Sequence, residues 1–201
     1  RVKLLPYTAQ MDIDTALTGR HVHVAYSDLI RALRLSGTHT PVRAFLATDE
    51  PLSLVCVEGL RVKRVHQLRE RMIAISRLCA TDYWSELFID TGDVAHPDFY
   101  RPQVHDVRVR TEMLRTGLMD AAILPEPYTS WMIASGHVQL AGTPEQGAKL
   151  AAWVFTDSLQ TDTFRRGQME AFVRAYRRAT EMINDGERPD VLGAILSRKY
   201  G

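Results

Sequence analysis

The sequence predicts an α/β protein with mixed, mostly parallel sheets, arranged as two lobes. Three observations carry that prediction. Short β-like runs alternate with helical periodicity along most of the chain, the order of elements changes after Pro144, and one helix–strand–carboxylate unit occurs twice.

The elements read in order as follows. Residues 2–7 have the pattern of a strand, and 10–18 that of a short helix closed by Gly19. Residues 21–26 alternate apolar and polar at the period of a strand. Ser27-Asp28 then opens a helix over 29–36 that Gly37 ends, the expected start and stop chemistry. Strands are predicted at 42–48 and 52–57, separated by Asp49-Glu50-Pro51. A basic helix over 63–70 leads to a strand at 72–76 and a helix at 82–90, and a loop rich in His, Pro and Asp covers 92–102. Then come strand 103–107, helix 109–116, strand 119–124, helix 128–135 and strand 138–141. After Pro144 the rhythm changes to a strand at 150–155 and two helices at 163–183 and 191–198. Met169, Phe172, Val173, Tyr176, Ala179, Met182 and Ile183 form one stripe on the first of these, expected to pack on a core.

Composition removes whole classes of function. The 201 residues make one large or two small domains, and 45% apolar residues are enough for a real core. Lys plus Arg number 25 against 24 Asp plus Glu, so the net charge of +1 gives no global pull toward nucleic acid or anionic lipid. The longest apolar stretches, such as 121–124, fall far short of the ~20 residues that span a bilayer. Cys56 and Cys79 form no CxxC pair and no zinc ligand set, although a disulfide between them stays open. No metal site is expected, because His21 and His23 lack a third ligand at a suitable spacing. No cofactor is expected either: Walker A and GxGxxG loops are both missing. The opening Arg1-Val2-Lys3-Leu4-Leu5 reads as a mature or trimmed product that begins close to a strand.

The repeated unit is the most informative feature. Thr18-Gly19 ends one helix, a strand follows, and Asp28 stands nine positions after the Gly. Thr116-Gly117 does the same, with Glu126 nine positions on and 98 residues separating the two units. Each unit delivers a carboxylate just beyond the C-terminal end of a strand, the edge at which open α/β sheets bind ligands. A carboxylate at a helix start also favours the helix dipole by ~0.3–1 kcal/mol in any protein.

Residues 116–128, Thr116-Gly117-Leu118-Met119-Asp120-Ala121-Ala122-Ile123-Leu124-Pro125-Glu126-Pro127-Tyr128, resemble the G-x-x-D-A-A-x-x-x-E-P stretch of ABC-transporter solute-binding proteins of the nitrate/sulfonate/taurine type. Ala16-Leu17-Thr18-Gly19 through Ala25-Tyr26-Ser27-Asp28 is similar to the corresponding motif of their first lobe, and Val65-His66-Gln67-Leu68 through Ile73-Ala74-Ile75-Ser76 to the element entering the second. Ala171-Phe172 through Tyr176 and Ala179 resembles their long return helix. The resemblance runs from about residue 3 to about residue 185 and implies a type II periplasmic-binding fold. Lobe one would be 1–55 plus 143–201, and lobe two 56–142. Nothing in the sequence corresponds to the strand and helix with which family members begin, so that wall of the cleft is expected to be missing.

The resemblance further implies a non-enzymatic receptor that closes on a small-molecule ligand and presents it to an ABC transporter permease. It implies a periplasmic or extracytoplasmic location, with membrane contact only through a lipid anchor upstream of Arg1. Three helix starts would line the cleft, since free N–H groups there point at a ligand. They are Ser27-Asp28, the segment Ser76 to Tyr83 with Thr81 and Asp82, and Glu126 with Tyr128. Thr48 at a strand end is a further candidate, Arg77 a partner for a carboxylate, and Tyr83 a surface on which a ring would stack. Ser27 and Thr81 equally have the chemistry of plain N-caps. Asp28 and Glu126 would repel an anion, which points to a neutral, zwitterionic or cationic solute. Two other functions use the same fold: an intracellular enzyme of the thiamine-precursor or menaquinone type, with Asp28 and Glu126 as acid and base, and the effector-sensing domain of a transcription regulator.

Overall fold

The computed structural model describes residues 2–38, 40–90, 99–145, 147–156 and 163–200. Chain contacts divide it into Leu5–Thr156 and a second unit of Arg1–Leu4 with Asp157–Gly201.

The first unit contains α1 (Gln10–Thr18), β1 (Val24–Asp28), α2 (Leu29–Ser36), β2 (Val42–Thr48) and β3 (Leu52–Cys56). A single 3₁₀ turn at Val65–Leu68 precedes β4 (Ile73–Ala74), α3 (Ala80–Asp90) and α4 (Val107–Arg115). Then come β5 (Ala121–Pro125), α5 (Tyr128–Ala134), β6 (Val138–Gly142) and β7 (Ala151–Thr156). The second unit holds α6 (Thr163–Asn184) and α7 (Pro189–Tyr200).

Two sheets result, with strand orders β1-β7-β2 and β4-β5-β3-β6. Within each sheet every strand but one points the same way. The exceptions, β7 and β3, are inserted between their neighbours, so four of the five strand pairings are antiparallel where the sequence led us to expect mostly parallel ones. The mixture of directions is as expected; what β–α alternation does not register is which strand crosses from one sheet to the other. Both inserted strands are predominantly apolar, as suits strands covered on both faces. All of β3 is buried, as is all of β7 except the half-buried Trp153. Edge strand β2 instead exposes Arg43, a charge that discourages edge-to-edge pairing.

The chain passes between the sheets twice, at residues 49–51 and 143–150. The crossings are tied together: the Thr143 N–H donates to the Leu52 carbonyl at 2.9 Å, and the Leu52 N–H donates to Thr143 Oγ1 at 3.2 Å. β3, which the sequence reading left at the end of lobe one, is hydrogen-bonded throughout to β5 and β6. Each sheet carries its own core. Leu17, Ala25, Ala32, Val42, Ala152 and Val154 pack on the three-stranded sheet. Leu54, Ile73, Ile75, Trp84, Phe88, Ile89 and Ile123 belong to the larger cluster on the four-stranded one.

Helix boundaries follow their caps. Asp28 Oδ1 accepts from the N–H groups of Ile30 and Arg31, which starts α2 at Leu29. Gly19 and Gly37 close α1 and α2 as expected. Gly117 follows α4 at φ +73°, a left-handed conformation that glycine adopts without strain. An ion pair from Arg31 to Asp14, with Nε to Oδ2 at 2.7 Å, ties α2 to α1.

Three expectations fail for local reasons. Residues 2–7 form no strand: Val2, Leu4, Leu5 and Tyr7 are exposed, and no ladder among the described residues accepts them. The basic stretch 63–70 makes only the one 3₁₀ turn. Gln67 Oε1 accepts from the Lys63 and Arg64 N–H groups, and Arg61 and Glu70 take positive φ on either side. Residues 103–107 keep only an isolated bridge from Gln103 to Ile75, because Asp106 caps α4 and Arg110 takes the Val104 carbonyl. Most of the predicted loop 92–102 lies outside the described residues. In α6 no residue of the apolar stripe is fully buried; Phe172 and Tyr176 pack on each other at 6.2 Å.

Ile123 is fully buried on β5, inside the larger core. Ile123→Ala is expected to cost about 2–5 kcal/mol, read as a lowered denaturant midpoint at unchanged slope. A loss below about 0.5 kcal/mol, the range of surface substitutions, would contradict this packing.

Candidate functional site

The C-terminal ends of β1 and β2 lie level with each other, since Asp28 and Thr48 both pair with Ala151 at the start of β7. From that level the chain enters the first crossing, which brings Glu50 beside them. Thr48 Oγ1 donates to the Tyr26 hydroxyl at 3.3 Å, and the same phenol hydrogen-bonds Glu50. Asp28 is 5% exposed. Its Oδ1 holds the start of α2, at 2.8 Å to Ile30 N and 3.1 Å to Arg31 N. Its Oδ2 accepts from the N–H of Ala80, the first residue of α3, which packs on the other sheet.

Opposite these groups, the turn between β4 and α3 is knitted by its own side chains. Thr81 Oγ1 donates to the Ser76 carbonyl at 2.7 Å and accepts from the Ser76 N–H at 2.9 Å. The Cys79 thiol donates to the Ser76 carbonyl at 2.9 Å, and Ser76 Oγ lies 2.9 Å from His105 Nδ1. His105 Nε2 meets Gln103. Arg110, buried on α4, donates to the carbonyls of Ile123 at 2.9 Å and Val104 at 2.7 Å.

Electrostatics single out this cluster. Burial raises the Asp28 carboxyl above its ordinary range, against the lowering effect of the Ala80, Arg31 and Ile30 N–H groups. Burial, and then the charge of Asp28, raise Glu50, while the Tyr26 hydroxyl and Arg110 pull the other way. Burial draws the Arg110 guanidinium down to about 10, partly offset by Cys79, Asp106 and Glu50. Two carboxylates and a guanidinium thus share one poorly hydrated region between the sheets.

The sequence candidates divide accordingly. Asp28, Thr48, Ser76 and Thr81 come to this region. Ser27 is fully buried beside them, its hydroxyl donating to the Asp28 carbonyl at 3.3 Å. Asp82 holds the turn through the Leu78 N–H at 2.9 Å and pairs with Arg101 at 3.6 Å. Arg77 and Tyr83 are exposed, and Tyr83 packs edge-on against Trp84. Glu126 is exposed too and turns onto its own helix, accepting from the Ser130 N–H at 3.2 Å and hydroxyl at 2.7 Å. Tyr128 is buried against Trp131. The repeat is therefore real as backbone but unequal as chemistry, with one carboxylate buried between sheets and the other in water.

Sequence reasoning missed Glu50, Tyr26, His105 and Arg110. Glu50 stood in the short segment that separates two predicted strands; its only signal was a carboxylate at the point where the chain leaves one strand for another. Arg110 gave no signal among the other arginines of its helix. Cys56 and Cys79 are separate buried thiols rather than a disulfide, and burial pushes the Cys56 thiol up to about 11. An open depression of about 640 Å³ lined by Met72, Arg77, Tyr100, Arg101 and Asp120, among others, includes none of the clustered residues.

No protein-family profile matches the chain, and no curated protein matches it significantly. Solved structures do. The alkanesulfonate-binding protein SsuA from Xanthomonas axonopodis pv. citri, bound to MOPS, aligns with TM-score 0.72 at 14% identity, over 96% of this chain and 72% of that one. The periplasmic aliphatic sulphonate binding protein SsuA from Escherichia coli aligns with TM-score 0.66 at 14% identity, over 95% and 70%. An ancestral arginine-binding protein bound to arginine aligns with TM-score 0.61 at 12% identity, over 100% and 81%. At such identities the likeness establishes the fold, which is the two-lobed α/β fold of the periplasmic-binding proteins.

A carboxyl raised in the folded state stabilises the fold below its unfolded value, near 4.5 for Glu50, and that contribution is lost as pH rises through the raised value. Glu50→Gln is therefore expected to melt above the wild type at pH 7.5, with the gap closing toward pH 4.5. Thermal unfolding at the two pH values checks this, and a gap that widens in acid would contradict it.

Proposed function

We propose that the chain is the substrate-binding component of an ABC-type importer, a non-enzyme that captures a small solute between its two lobes by hinge closure. The observation that carries the reading is the gathering of Tyr26, Asp28, Thr48, Glu50, Ser76, Thr81 and Arg110 at facing strand ends of two sheets joined by two crossings. Such a site offers donors and acceptors of both signs, and two adjacent crossings form a natural hinge.

Lobe one, in this reading, is the three-stranded sheet with α1 and α2, and lobe two the four-stranded sheet, β3 included. Solute recognition is assigned to Asp28, Thr48, Glu50, Ser76, Thr81 and Arg110. Ser27, Asp82 and Tyr128 support the walls, and Arg77, Tyr83 and Glu126 form the rim that a closing lobe approaches. The partner is a membrane permease and the location extracytoplasmic, with attachment through a lipid anchor upstream of Arg1. The neighbours support this reading, being proteins described as binding a sulfonate buffer, aliphatic sulphonates or arginine.

The test is thermal unfolding against panels of alkanesulfonates, phosphonates and free amino acids. One class is expected to raise Tm with concentration, by about 2.7 kcal/mol of stability at 100 times Kd, and to be recovered unchanged. No shift from any class, or chemical conversion of the bound compound, would overturn the reading.

A further inference from the structure

A chain of three side chains runs from the turn after β4 to the segment that leads into α4. Ser76 Oγ lies 2.9 Å from His105 Nδ1, and the other ring nitrogen, Nε2, meets the Gln103 amide. Ser76 is buried, and among the described residues His105 Nδ1 is the one partner of its hydroxyl. A buried hydroxyl hydrogen needs an acceptor, so Ser76 donates to Nδ1 and the neutral ring keeps its proton on Nε2. Gln103 is exposed, and its amide can turn either its oxygen or its nitrogen to Nε2. Both neighbours of the ring can therefore reverse. When the ring takes a second proton, Nδ1–H donates to Ser76 Oγ and Nε2–H to the Gln103 oxygen, and neither ring nitrogen loses its partner.

We propose that His105 is a positioning residue that sets the direction of the Ser76 hydroxyl: the neutral ring holds the hydroxyl hydrogen, and the protonated ring releases it. A released hydroxyl donates to an anionic group at the strand ends, so acid turns Ser76 from an acceptor into a donor. Imidazole is the side-chain group whose charge ordinarily changes between pH 5 and 8. The other charged and titratable groups around the chain have partners of their own. Asp106 caps α4 and accepts from Thr8, and Asp82 pairs with Arg101. Arg110 holds the Val104 and Ile123 carbonyls, and the Cys79 thiol donates to the Ser76 carbonyl. Arg77 and Arg108 are exposed. From the facing strand ends, Asp28 accepts three N–H groups and Glu50 the Tyr26 hydroxyl. Those two carboxyls also lose charge in acid, a contribution that substitution of His105 leaves in place. The direction of Ser76 belongs to the chain by itself; only its effect on solute preference rests on the proposed function.

Nitrogen NMR of the imidazole rings reads the tautomer, with the His105 signals identified by their loss in His105→Gln. At pH 7.5 the neutral ring of the wild type is expected to hold its proton on Nε2. Ser76→Ala is expected to move the tautomer ratio about 2- to 10-fold toward Nδ1–H, as loss of one neutral hydrogen bond implies. Gln103→Ala should leave Nε2–H dominant. A neutral ring that is mainly Nδ1–H, or a tautomer that follows Gln103 and ignores Ser76, would overturn the proposal. If Ser76→Ala does not fold, Gln103→Ala decides. Calorimetry with methanesulfonate, whose charge is constant over this range, reads the effect on an anion at pH 5.5 and 7.5. Its affinity ratio between the two is expected to be about 10-fold smaller in His105→Gln than in the wild type, the worth of one hydrogen bond to a charged group. Equal ratios would overturn the release. No binding at either pH would remove this anion class from the solutes of the proposed function, while the tautomer still decides the direction of Ser76.

Discussion

One carboxylate satisfies the starts of two helices that belong to different sheets. Every helix leaves its first N–H groups without an internal partner, and a buried N–H without an acceptor costs as much as a lost hydrogen bond. Here α2 and α3 meet that requirement with the same residue, Asp28. The consequence reaches beyond two turns of helix. The end of β1 is fixed against the beginning of α3, so the polar strand ends of the two sheets face each other across a short distance. Thr48, Glu50 and Tyr26 arrive with Asp28 from one side, and Ser76, Thr81 and His105 with Ala80 from the other.

That arrangement has an energetic cost which the surroundings offset only in part. Asp28 accepts three N–H groups yet its carboxyl is still raised, so desolvation outweighs the hydrogen bonds. Glu50 adds a second negative charge nearby, and Arg110 answers from α4 while held by two carbonyls rather than by a carboxylate of its own. A fold has no need of such groups in its interior, where apolar residues of similar size often serve stability as well or better. Mutually perturbing charges at the C-terminal edges of strands fit the solute-binding cleft proposed above.

Much of this was legible in the sequence, and the failures have common causes. Helices α1 and α2 have the expected bounds because their signals are local: an apolar period, Asp28 before the second and a Gly after each. The repeated Gly–strand–carboxylate unit located both helix starts correctly. It could not tell that Asp28 would be buried and Glu126 left in water, because that depends on which sheet each strand joins. The direction of β3 and β7 was hidden for the same reason: a three-residue link such as 49–51 looks like a hairpin turn, and only tertiary packing sends its second strand to another sheet. Glu50 and Arg110 were invisible because charged residues are exposed by default, and their burial is a property of the assembled lobes.

The most direct measurement is hydrogen exchange at the Ala80 amide of the unmodified, ligand-free protein. An amide at the first position of a helix has no intrahelical acceptor and exchanges freely unless something else takes its proton. The account predicts that Ala80 is protected to the level of the core amides of α3, through Asp28. Free exchange at Ala80, with the rest of α3 protected, would contradict it.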